Sequence, residues 1–175
     1  LPQIPGYDLS GMWQPARLVG GDYFDVFALS ETRALLCIAD VVGKGMPAAL
    51  LMSNLQAATR AIACRTSQPK ELCRQVNRII CDNTSADRFI TFFCGLLNVA
   101  GRRLTYTNAG HNAPLLLRRE GSLVHLKKGG TALGIVPDWK YEQGEVGLTA
   151  GDRLVLFTDG VTEARNAEGE EFGEK

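Results

Sequence analysis

Three aspartates occupy three separate turn-like settings in the sequence. Asp22 follows a glycine pair in GGDYFD, Asp40 closes the apolar run of CIADVVGKG, and Asp159 closes that of VLFTDG. Carboxylates delivered at strand ends and held by tight turns are how a chain builds an oxygen-ligand site for hard divalent cations. One such pattern is common, whereas three in a small chain point to a metal-centred active site. Taken singly, each has a duller reading: Asp22 could satisfy a turn amide, and Asp159-Gly160 is a common hairpin dipeptide.

Other chemistry is thinly supplied. There are two histidines, His111 and His125, and five cysteines, Cys37, Cys64, Cys73, Cys81 and Cys94. The cysteine number is odd and no CxxC pair occurs. The pattern therefore reads as buried free thiols in a reducing compartment rather than a disulfide framework or zinc site. His111, in Ala-Gly-His-Asn, lies at a corner between strands, either as a proton donor or as a structural hydrogen bond holding that corner. Trp13 and Trp139 read as core or partner-facing aromatics.

Composition sets the frame. The 175 residues are 45% apolar and 22% charged, with a formal net charge of zero, an ordinary globular balance long enough for a hydrophobic core. There is no basic run, so non-specific nucleic-acid binding is disfavoured. No segment approaches the ~20 consecutive apolar residues of a membrane span, and the first residues lack a signal-peptide pattern. A cytoplasmic protein is expected. The chain opens without methionine and stops at Lys175, and is expected to be a piece of something longer.

The elements that must position the aspartates follow from periodicity. Residues 7–13, 23–28 and 34–39 alternate as strands do. After Gly43-Lys44-Gly45, Pro47 suits a helix first turn, and Leu51, Leu55, Ala58 and Ile62 recur at helical spacing to about residue 64. A second helix is predicted from Pro69, with Leu72, Val76, Ile79 and Ile80 on one stripe. Residues 89–99, 103–109, 114–118, 122–126, 142–148 and 153–158 then read as strands. Two consecutive helices between blocks of strands indicate an α+β domain.

The motifs GGDYFD, ADVVGKGMPAALLM, RFITFF, TNAGHNAPLL, LGIVPD and FTDGVTEARN…GEEFG stand in one order along residues 15–173. In that order they resemble the SpoIIE-type branch of the metal-dependent (PPM, type 2C) serine/threonine protein phosphatases. The resemblance implies an αββα sandwich, two antiparallel β-sheets face to face with helices outside. Residues 1–175 would form one such domain, truncated at its C-terminus. It implies two Mn2+ or Mg2+ ions held by Asp22, Asp40 and Asp159, with the backbone carbonyl of Val41 as a further ligand. A cation pair ~3.5–4 Å apart acidifies a water and neutralises phosphoryl oxygens, so no covalent enzyme intermediate is needed. Asp25 would support the site or cap the following turn.

Two cations are candidate phosphate partners beside the bland reading of solvated surface charges. Arg17 lies near where many relatives carry a phosphate-binding arginine, a side chain suited to bidentate oxyanion contact. Lys44 precedes a helix N-terminus, which favours anions.

The implied substrate is a phosphorylated anti-sigma-factor antagonist, with an upstream sensor domain in control. Helices in the segment 46–81 are the expected place for switching and for a homodimer contact. Two departures stand out. Val41-Val42-Gly43-Lys44 replaces the histidine proposed elsewhere as leaving-group acid, and a further metal-binding aspartate is expected beyond the EEFG stretch. The rival readings are a non-catalytic regulatory module with the same fold and a metallohydrolase acting on small phosphoesters.

Overall fold

The computed structural model describes residues 1–14, 20–85 and 88–173. Nine strands and three helices follow in order: β1 (Tyr23–Ser30), β2 (Arg33–Val41), α1 (Met46–Ala63), α2 (Pro69–Asn83), β3 (Ile90–Asn98), β4 (Arg103–Ala109), β5 (Leu115–Leu117), β6 (Leu123–His125), β7 (Gly129–Gly130), β8 (Gly144–Gly147), β9 (Arg153–Val155) and α3 (Asp159–Thr162). The large sheet runs β1-β2-β3-β4-β7, with β8 also paired to β4, and the small sheet runs β6-β5-β9. The α+β architecture matches expectation. The sheets are antiparallel except for the two-residue β4–β7 pairing, which is parallel and has no sequence signal beyond Gly129-Gly130.

Strand β2 shows how the layers are specified. Successive strand side chains point to opposite faces. Leu35, Cys37, Ala39 and Val41 pack with Leu51, Leu55 and Ile62 of α1 and with Leu72, Val76 and Ile80 of α2. Ala34, Leu36 and Ile38 pack with Phe93, Leu104, Leu116 and Leu126 between the sheets. A strand covered on both faces loses its polar alternation, and β2 is buried from Ala34 to Ala39. The layers are thus helix pair, large sheet, small sheet. Of the outer helices expected, the described residues supply α1 and α2 on the large sheet and, apart from them, only the single turn of α3.

Both long helices carry proline in the first turn, as expected. Residues 7–13 do not form a strand; Ile4 and Tyr7 share one isolated bridge. Their alternation is real, since Tyr7 and Leu9 pack onto the inter-sheet core, but no described strand lies alongside to complete a ladder. The expected strand over 153–158 ends at Val155. Not all five thiols are buried: Cys37, Cys73 and Cys94 are, while Cys64 is exposed and Cys81 intermediate. Cys64 lies at the C-cap of α1, past the packed face. Trp13 and Trp139 are both substantially exposed and belong to no core.

Candidate metal centre

The aspartates are positioned by strand register. Strands β1 and β2 pair with Tyr23 opposite Ala39. One further step along that register puts Asp22 beside Asp40 and Gly21 beside Val41. Directly opposed residues on one face have Cβ atoms roughly 4.5–5.5 Å apart, and like charges there are destabilising. By strand alternation Asp40 shares the inter-sheet face with Ala34, Leu36 and Ile38, so two half-buried carboxylates sit at the end of an apolar core. Gly21 is dictated by this approach, because a Cβ there would lie 2.9 Å from the Val41 carbonyl oxygen.

Asp159 arrives from the other sheet. It opens α3, three residues past Leu156, and its carbonyl accepts from the Glu163 amide at 2.7 Å. The Thr158 side chain lowers the Asp22 carboxyl, which places the two segments near one another. The helical turn also projects Glu163 from the same side as Asp159, at the i,i+4 spacing. Neither Thr158 nor Glu163 was singled out in the sequence. The Thr-Asp-Gly-Val-Thr-Glu spacing is the signal that carries both of them.

Charge crowding follows. Burial, then Asp159, then Asp22, raise the Asp40 carboxyl to about 6, with Glu163 adding to the rise and the Val41 amide opposing it. Asp22 is also raised, chiefly by burial and further by Asp159, while the Thr158 side chain works against the rise. Asp159 and Glu163 therefore both bear on Asp40, and Asp159 bears on Asp22 as well. Among the described residues, however, no three His, Cys, Asp or Glu side chains close on one point as a ready-made cage. Three carboxylates, a fourth nearby and a carbonyl kept clear by glycine are all oxygen donors, the set that hard divalent cations take.

The remaining candidates fall out unevenly. Val41 ends β2 against Gly21. Arg17 lies outside the described residues. Lys44 is exposed between Gly43 and Gly45, whose φ values of 108° and 73° suit glycine; it does not figure among the groups acting on Asp40. Gly45 caps α1 without a side-chain hydrogen bond, and the first turn holds no acid.

Asp25 neither caps a turn nor joins the carboxylates. Within β1 it takes a two-pronged hydrogen bond from Arg60 of α1, at 2.8 and 2.9 Å, and another from the Tyr23 hydroxyl at 3.0 Å. A mainly apolar cleft of about 1670 Å3 opens between the sheets. Asp22, Thr158 and Gly160 line it, but Asp40 and Asp159 do not. It adjoins the carboxylate cluster without containing it.

Residues 30–175 match the family profile described as Stage II sporulation protein E (SpoIIE). The chain belongs to the SpoIIE family. It is 35% identical over 170 residues to a Bacillus subtilis protein named phosphoserine phosphatase RsbU, covering 97% of this chain and 50% of that protein. It is 29% identical to protein IcfG of Synechocystis, covering 99% of this chain and 32% of that one. The chain thus spans half or less of the length of these relatives. Among solved structures, the SiaA-PP2C domain of Pseudomonas aeruginosa superimposes with a TM-score of 0.79 at 25% identity, over 93% of this chain and 65% of that one. The RsbU and RsbW domains of a Mycobacterium tuberculosis protein give 0.75 at 28% identity, over 87% and 42%. The fold is that of PP2C phosphatase domains.

Proposed function

We propose that this chain is the catalytic module of a metal-dependent protein phosphatase acting on phosphoserine or phosphothreonine. The observation that carries the reading is the register of β1 and β2, which sets Asp22 beside Asp40 on one face with Asp159 and Glu163 within electrostatic reach. Such a concentration of like charge at the end of an apolar core is costly unless cations share it.

Asp22, Asp40, Asp159 and the Val41 carbonyl would hold the ions, Mn2+ or Mg2+, two in number. Bound cations would supply charge neutralisation for the phosphoryl oxygens and acidify the attacking water. Thr158, next to Asp159 in sequence, favours the ionised form of Asp22. Gly21 keeps side-chain atoms away from the Val41 carbonyl. Lys44, beside an α1 N-terminus with no acid in its first turn, would attract the phosphate from outside. Arg17 is the second candidate for that contact.

The named activity of RsbU and the magnesium complex described for RsbX, a neighbour at 21% identity and TM-score 0.70, both favour the reading. A phosphorylated anti-sigma-factor antagonist would be the substrate, in the cytoplasm, under an upstream sensor domain. No helix among the described residues is long and apolar enough to cross a membrane. Exposed Met46 and Leu50 on α1 favour that helix as the contact for a second copy or a regulatory element.

The test is hydrolysis of p-nitrophenyl phosphate. Turnover should require MnCl2, cease with EDTA, and fall by roughly two orders of magnitude in Asp40→Asn, as losing a charge-stabilising group does. EDTA-insensitive turnover, or full activity in Asp40→Asn, would refute the assignment.

A further inference from the structure

His111 is 5% exposed, and its backbone is already secured without its ring. The Asn108 side-chain oxygen accepts from the His111 amide at 2.7 Å, and the Asn108 side-chain amide donates to the His111 carbonyl at 3.0 Å and to the Leu126 carbonyl at 3.2 Å. The corner is therefore held by Asn108. The imidazole does something else: it links the large sheet to the segment that follows β9. Nδ1 lies 2.8 Å from the Thr91 hydroxyl and Nε2 lies 3.1 Å from the Phe157 carbonyl oxygen.

Both contacts end next to the carboxylates. Thr91 of β3 is the register partner of Asp40, and by strand alternation it lies on the same inter-sheet face, extending the Asp22–Asp40 row by one strand. Phe157 stands two residues before Asp159 and next to Thr158, whose side chain acts on the Asp22 carboxyl. The ring is thus a strut between the sheet that carries two of the acids and the segment that carries the third.

The hydrogen bonding fixes its tautomer. A carbonyl only accepts, so Nε2 must carry a proton. Burial lowers the ring's ionisation to about 4, against the opposing pull of the Phe157 carbonyl and Asp159, so near neutral pH Nδ1 is bare and accepts. The Thr91 hydroxyl has one proton. The Asp40 carbonyl lies 3.4 Å from it and the imidazole 2.8 Å, so the proton goes to the ring.

We infer that the His111 imidazole is the positioning residue that sets how far the Asp159 segment stands from the Asp22–Asp40 row, donating from Nε2 to the Phe157 carbonyl and accepting at Nδ1 from the Thr91 hydroxyl. The inference rests on the cation-binding reading above and adds a role to a residue that touches neither ion nor substrate. Groups that orient metal-binding segments typically change affinity 10–100-fold when removed, so the strut is read out as metal affinity rather than as stability.

The experiment is calorimetric titration of MnCl2 into the wild type, Thr91→Val, His111→Gln and His111→Phe, with melting curves and 15N imidazole spectra of the wild type alongside. Thr91→Val removes one hydroxyl at nearly constant volume and should weaken Mn2+ binding about three- to tenfold, while His111→Phe weakens it about tenfold or more. His111→Gln retains a donor for the Phe157 carbonyl and should recover most of the loss. The spectra should report a neutral Nε2–H ring.

Wild-type affinity in Thr91→Val, or an Nδ1–H tautomer, would overturn the inference even if His111→Phe fails to fold. A folded His111→Phe that binds as tightly as wild type would do the same. A wild type that binds no Mn2+ would instead sink the phosphatase reading, and this inference with it.

Discussion

Asp40 concentrates the conflict between stability and function in this site. Its carboxyl is raised from 3.8 to about 6 by burial and by neighbouring acids, so the folded state prefers it protonated. The penalty for ionising it is absent below about pH 4 and complete above about pH 6. Without metal, stability contributed by this group therefore falls as pH rises through that window, and Asp22 shifts in the same direction. Two outcomes are expected in thermal melts. At pH 7.5 without divalent ions, Asp40→Asn raises Tm by a few degrees while costing roughly two orders of magnitude in turnover, the trade expected of a strained site. MnCl2 stabilises the wild type more at pH 7.5 than at pH 5, because protons compete for the same oxygens. A lower Tm for Asp40→Asn, or a metal effect independent of pH, would contradict this account of the electrostatics.

The helices depend on buried polar ties as well as apolar stripes. Arg60 of α1 grips Asp25 of β1 with both prongs and lies over the Phe27 ring, 4.7 Å from its centroid. The Asp25 side chain is only 12% exposed, unlike Glu71 in its one-turn pair with Arg74. A double-mutant cycle on Arg60 and Asp25, followed by urea unfolding, should give a coupling above about 1 kcal/mol, since two-pronged pairs with a sheltered carboxylate are the strong ones. The Arg74–Glu71 cycle should give about 0.2–0.5 kcal/mol. Equal couplings would mean that the α1–β1 tie is merely decorative.

Asn77 of α2 plays a parallel role. Fully buried, it donates to the Val136 and Pro137 carbonyls and accepts from the Gly134 amide. Asn77→Ala strands those groups and should cost about 2–4 kcal/mol in the same assay.

The helix spans were legible because proline starts and 3.6-residue spacing are local signals, and β2 because a strand covered on both faces is continuously apolar. Asp25–Arg60 and the Asn77 contacts were not, since they join residues 35 and about 60 positions apart. Residues 7–13 misled for the opposite reason: alternation reports burial on one side, not the presence of a neighbouring strand. The short helix that Asp159 opens has no clear local signal, because an Asp-Gly pair suits a hairpin as well as a first helical turn.

Across the whole molecule, the site exists because two sheets end together. Asp22 and Asp40 come from the large sheet, Asp159 and Glu163 follow the small one, and the packed layer of Phe93, Leu104, Leu116 and Leu126 sets the gap between them. The three aspartates proposed as ligands are legible in motif order. Their convergence required the register of β1 against β2, and the strut of His111 required the sheets to be stacked. Direct observation of bound ions tests the central claim most squarely: anomalous difference density from crystals grown with MnCl2. The account predicts manganese peaks among Asp22, Asp40, Asp159 and the Val41 carbonyl, lost in crystals of Asp40→Asn. Manganese bound only elsewhere, or no peak at these carboxylates, would contradict it.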